Sequence, residues 1–128
     1  MADKQKTILI VDDVYEVREV TSGILRHNGY TVSTAVDGSD ALESLTDKPV
    51  DLIIVDIHMP VMDGIELVKK LKVLHPSIKC ILISGDIGKT NEEYNYLAVA
   101  KRMTGLKVSL KKPFKPDDLI KVVESVLI

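Results

Sequence analysis

Three short runs of continuously apolar residues constrain this chain more than any other feature: Ile8-Leu9-Ile10-Val11, Leu52-Ile53-Ile54-Val55 and Ile81-Leu82-Ile83. Each is too short for a typical helix and rich in β-branched residues. Strands that read this way are buried on both faces, which happens in parallel sheets covered by helices on each side. A weaker strand is expected at residues 30 to 35, where Thr31, Val32 and Thr34 are β-branched. A short fifth is expected at residues 107 to 110.

Helix-period segments fill the intervals. Val14, Val17, Val20, Ile24 and Leu25 can line one face of a first helix, with Glu16, Arg18 and Glu19 pointing elsewhere. Asn28-Gly29 ends it in the manner of a left-handed cap. Ala41, Leu42 and Leu45 mark a second helix. Ile65, Val68 and Leu71 mark a third, stopped by His75-Pro76. Residues 91 to 103 predict a fourth, and Pro116 fits the first position of a last one. There Asp117 and Asp118 oppose the positive end of the helix dipole, and Leu119, Val122, Val123, Val126 and Leu127 supply the inner face.

The result is β-α repeated five times: an α/β architecture, one parallel sheet with helices on both faces. The 128 residues suit one domain, residues 1-128, with no linker, repeat or low-complexity stretch. No output domain is expected within it, so any output is expected to pass through a protein partner.

Composition narrows the function. Seventeen Lys and Arg against nineteen Asp and Glu give a net charge of -2. That balance gives no reason to expect a nucleic acid or an anionic membrane as partner, although Lys111, Lys112 and Lys115 cluster near the C-terminal end. Cys80 is the single cysteine and sits in an apolar run, so it reads as a core residue. One cysteine precludes an intramolecular disulfide and fits a reducing compartment. No stretch approaches the roughly 20 apolar residues of a membrane helix, and residues 1 to 6 lack a signal-peptide apolar run. A cytoplasmic location is expected.

The chemistry follows the strands. Asp12 and Asp13 come after the first, Asp56 after the third, Ser84 after the fourth and Lys112 after the fifth. In an open parallel sheet such strand ends share one edge, where ligands bind near the reversal of strand order. Three carboxylates in one pocket repel, each pair by about 4 kcal/mol at 4 Å and an effective dielectric near 20. A hard divalent cation, Mg²⁺ above all, is the natural compensation, and Lys112 adds a second positive charge. Metal plus lysine is what phosphoryl transfer needs, because the transferred group carries negative charge on three oxygens. A carboxylate can be the nucleophile, giving an aspartyl phosphate. Ser84 is placed to hydrogen-bond one phosphoryl oxygen. Singly, each residue has an ordinary reading: Asp13 as a helix N-cap, Ser84-Gly85 as turn chemistry, Lys112 as a solvated lysine. The joint pattern favours the site.

The stretches Ile10-Val11-Asp12-Asp13, Val55-Asp56-Ile57-His58-Met59-Pro60 with Met62-Asp63-Gly64, Ile83-Ser84-Gly85 and Lys112-Pro113-Phe114 resemble bacterial response regulator receiver domains, over essentially the whole chain. The resemblance is to the stand-alone, chemotaxis-type members. It implies a doubly wound, flavodoxin-like sheet of strand order 2-1-3-4-5 with five helices. It implies phosphorylation of Asp56 by a sensor histidine kinase, a histidine phosphotransfer protein or a small acyl phosphate, self-catalysed and self-reversed, with no other enzymatic activity. Asp12, Asp13, Asp56 and the backbone carbonyl of His58 are the implied Mg²⁺ ligands, Asp12 largely through metal-bound water, with Mn²⁺ as a substitute ion. Ser84 is the implied switch hydroxyl, Lys112 the phosphoryl-binding lysine, and the bond before Pro113 an implied cis peptide. His58 and Asp86 stand where side chains flank the site and tune dephosphorylation. A monomer or a phosphorylation-dependent dimer is implied, with an unidentified downstream protein target and neither nucleic acid nor membrane as partner.

The chain departs from the family in two places. Ser109 stands three residues before the lysine, where an aromatic is usual, and the segment between Ser84 and Lys112 is longer, with an extended loop expected at residues 85 to 90. Other functions fit less well. A haloacid-dehalogenase-like aspartyl-phosphate phosphatase needs a second Asp two places after the nucleophile, where this chain has His58. A flavin or nucleotide binder needs a glycine-rich phosphate cradle, and neither GxGxxG nor GxxxxGK[ST] occurs. A phosphorylation-independent receiver-like scaffold has no use for a complete acidic set.

Overall fold

The computed structural model describes residues 6–57, 64–84, 101–102, 105–106 and 108–127. Five strands form one sheet: β1 (Thr7–Val11), β2 (Thr31–Ala35), β3 (Leu52–Asp56), β4 (Lys79–Ser84) and β5 (Ser109–Lys111). All neighbours are parallel, and the order is β2-β1-β3-β4-β5. This is the strand order that the resemblance implies. Four helices lie among the described residues: α1 (Tyr15–His27), α2 (Gly38–Asp47), α3 (Gly64–Leu74) and α4 (Pro116–Leu127). The further helix expected at residues 91 to 103 falls outside the described residues except at its end, where Lys101 and Arg102 are helical. The loop expected at residues 85 to 90 also lies outside them.

Alternation along the central strands sorts the core into two layers. Leu9, Val11, Ile53, Val55, Cys80 and Leu82 face α2 and α3, meeting Ala41, Leu45, Val68 and Leu71. Ile8, Ile10, Leu52, Ile54, Ile81 and Ile83 face the other way, onto Leu25 of α1 and Leu119 and Val123 of α4. Each fully buried side chain of this size contributes about 1.5–3 kcal/mol relative to exposure. A clip closes the N-terminal edge, where the Asp51 carboxylate accepts from both the amide and the hydroxyl of Thr7.

Two expectations need correction. Val14 and Val20 are exposed, Val14 precedes α1, and the helix buries Thr21, Ser22 and Leu25 instead. The apolar spacing was real, but part of that stripe lines a surface groove rather than the sheet. The fifth strand is also shifted towards its C-terminal end, so that β5 leads directly into Lys112. The helix ends are as expected: Gly29 has φ 94 after the Asn28 cap, and Pro116 opens α4.

Candidate functional site

The register of the sheet builds the site. Val11 pairs with Val55, which sets Asp12 beside Asp56 at the C-terminal ends of β1 and β3. Strand order reverses between these two strands, the position at which open α/β sheets form a crevice. Asp56 pairs with Ile83 and Ser84 with Lys111, bringing β4 and the end of β5 to the same edge. The amide of Lys112 donates to the carbonyl of Ser84 at 2.8 Å.

Asp12, Asp13 and Asp56 place carboxylate oxygens within 4.8 Å of one another. Asp12 and Asp56 are buried and Asp13 is exposed. Lys112 Nζ bridges the two buried acids, 2.7 Å from Asp12 Oδ2 and 3.3 Å from Asp56 Oδ2. Burial works to lower the pKa of this lysine. The bond to Asp12, the charges of Asp56 and Asp12 and the bond to Asp56 outweigh that, and the net shift is upward. A lysine so placed stays charged and holds the acids together.

Every polar atom of Asp12 is engaged. Its amide donates to the Ala35 carbonyl at 3.2 Å. Its carbonyl accepts from Arg18 Nη1 at 2.7 Å, its Oδ1 from the Val14 amide at 2.9 Å and its Oδ2 from Lys112. The N-cap of α1 is Val14, without a side-chain cap, so Asp13 is not the helix cap that its position allows. The donor set is hard oxygen, anionic and partly open to solvent, which fits Mg²⁺.

Ser84 ends β4 and is buried, and the Lys112–Pro113 peptide bond is cis. His58 and Asp86 lie outside the described residues. Cys80 is a buried free thiol in the core.

Three features escaped the sequence reading. Arg18 reads as a solvent-face residue yet reaches back to the acidic loop. Gly64 sits so close to β3 that a Cβ there would lie 2.6 Å from the Asp56 carbonyl oxygen and 2.7 Å from Ile57 Cα. A largely apolar groove of about 520 Å³, lined by Val17, Val20 and Ile24 of α1 with Pro113 and Phe114, adjoins the site through Lys112. Its signal in the sequence was the same valine spacing that was read as core.

Comparison with known proteins agrees with this geometry. The family model for the response regulator receiver domain matches residues 8–124. The sporulation initiation phosphotransferase F of Bacillus subtilis is 32% identical, over 94% of this chain and 92% of that protein. The transcriptional regulatory protein PrrA of Mycobacterium tuberculosis is 33% identical, and there the chain spans 49% of the relative's length. Among solved structures, NtrX from Brucella abortus superposes with a TM-score of 0.86 at 33% identity, over 96% of this chain and 27% of that one. A Vibrio cholerae chemotaxis protein superposes with a TM-score of 0.82 at 31% identity, over 95% and 98%. No helix among the described residues is long and apolar enough to cross a membrane. Sheet order, acidic crevice and bridging lysine thus coincide with the likeness in sequence, and the chain belongs to the response regulator receiver domains of two-component signalling.

Proposed function

We propose that the chain is a phosphorylation switch whose acceptor is Asp56. The observation that carries the reading is the cluster of Asp12, Asp13 and Asp56 with Lys112 bridging two of its members. A carboxylate oxygen of Asp56 attacks the phosphorus of a phosphohistidine or a small acyl phosphate. The bond to the donor nitrogen or oxygen breaks, and its electron pair leaves with the donor. Lys112 holds positive charge beside the transferred group, and Ser84 offers a hydroxyl at the adjacent strand end. Asp12, Asp13 and Asp56 would hold Mg²⁺, which supplies charge neutralisation to the phosphoryl oxygens. Water later hydrolyses the acyl phosphate, and the same groups of this chain assist both steps.

The donor is a sensor histidine kinase or a histidine phosphotransfer protein, docking over the groove that adjoins the site through Lys112. Phosphorylation raises the local negative charge to nearly two units. The Ser84 and Lys112 segments contact that group in only one arrangement, and this bias is passed to a protein target.

The adduct tests the reading chemically. An acyl phosphate formed with acetyl phosphate and Mg²⁺ is discharged by neutral hydroxylamine. An adduct that survives hydroxylamine sits on a hydroxyl or an imidazole and contradicts the assignment.

A further inference from the structure

We propose that Arg18 is a positioning residue that sets the Asp12–Asp13 peptide for divalent-cation binding. The inference rests on the metal reading above.

Arg18 is the fourth residue of α1, and its guanidinium turns back over the exposed ring of Tyr15, 5.7 Å from the ring centroid. From there Nη1 donates to the Asp12 carbonyl at 2.7 Å. A charged donor on a carbonyl makes a stronger bond than a neutral one, and attraction to the ring face favours this placement of the guanidinium. The carbonyl it grips belongs to the peptide that leads into Asp13.

The two acids are held differently. The Asp12 side chain is fixed from two sides, by the Val14 amide and by Lys112. Among the described residues no hydrogen bond reaches the Asp13 carboxylate, although it stands within 4.8 Å of the other two. The aim of Asp13 therefore depends on its backbone, which Arg18 holds at the peptide leading in and the Asp12 carboxylate holds at the Val14 amide beyond it. Groups that orient metal ligands in this indirect way typically change metal affinity by about 10–100-fold when removed.

Charge and geometry predict opposite signs, so they can be separated. Removing a cation beside three carboxylates strengthens Mg²⁺ binding on electrostatic grounds alone. Removing a positioning group weakens it. Calorimetric titration of Mg²⁺ into wild type, Arg18→Met and Arg18→Lys decides, with urea unfolding as the check on folding. Arg18→Gln repeats the test with a shorter polar side chain. The expected result is a Kd about 10-fold higher in Arg18→Met, largely restored in Arg18→Lys, which keeps a charged donor. Equal or tighter binding in folded Arg18→Met and Arg18→Gln overturns the positioning role while leaving the metal reading intact. Absence of Mg²⁺ binding in wild type overturns the metal reading, and this inference with it.

Discussion

Lys112 Nζ donates to Asp12 Oδ2 at 2.7 Å, tying the segment after β5 to the segment after β1 across 100 residues of sequence. The bond makes the folded site prefer a charged lysine, and its folded pKa is raised. The unfolded value is about 10.4, so the stabilisation is complete below that pH and is lost as pH rises through the folded value. Cys80 acts in the same direction. Burial pushes its thiol up to about 11, outweighing the opposing charge of Lys72. The unfolded chain releases that proton near pH 8.5 (about the free-thiol value) while the folded chain keeps it. The urea midpoint is therefore expected to hold steady through neutral pH and to fall on the alkaline side. A midpoint that stays level or rises in that range contradicts both assignments.

Asp13 is the exposed member of the cluster. Replacing it by Asn removes repulsion of about 1 kcal/mol per pair at 4 Å in water. With two such pairs, Asp13→Asn is expected to be more stable than wild type by about 1–2 kcal/mol without metal, and to lose the stabilisation that Mg²⁺ is expected to give wild type. Urea unfolding with and without Mg²⁺ measures both. Lower metal-free stability contradicts a repulsive cluster.

Gly64 opens α3 against the backbone of Asp56, the proposed acceptor. The atoms a Cβ would meet, the Asp56 carbonyl oxygen and Ile57 Cα, belong to the main chain and cannot rotate away. Gly64→Ala is expected to cost about 1–3 kcal/mol, as overpacking does, and to slow phosphorylation of Asp56 by displacing its strand end. Denaturation together with the rate of adduct formation checks this. Unchanged values for both contradict the close approach.

Ser22 is buried in α1, and among the described residues its hydroxyl has no hydrogen-bond partner. An unsatisfied buried polar group costs about 1–3 kcal/mol, and alanine is also the better helix former. Ser22→Ala is expected to gain about 1 kcal/mol or more with phosphorylation unchanged. A destabilised variant contradicts the unsatisfied hydroxyl.

The central strands were legible because burial on both faces leaves no polar position to confuse the period, as Leu52 to Val55 illustrate. The site was legible because Asp12, Asp13 and Lys112 follow strands and Asp56 ends one, and parallel strands carry their ends to one edge. Helix faces were less legible. The stripe from Val17 through Ile24 has the period of a core face, but hydrophobicity alone does not distinguish a sheet from a groove beside Phe114. Thr21 and Ser22 look like surface residues and are buried. Arg18 was missed because its bond is to a backbone carbonyl, which no side-chain pattern records.

Intact-mass spectrometry after incubation with acetyl phosphate tests the central claim most directly, on wild type and Asp56→Asn, with and without Mg²⁺. The account predicts a gain of one phosphoryl group in wild type with Mg²⁺ and none in Asp56→Asn or without the ion. A gain of equal size in Asp56→Asn, or one that persists without a divalent ion, would contradict Asp56 as a metal-dependent phosphoacceptor.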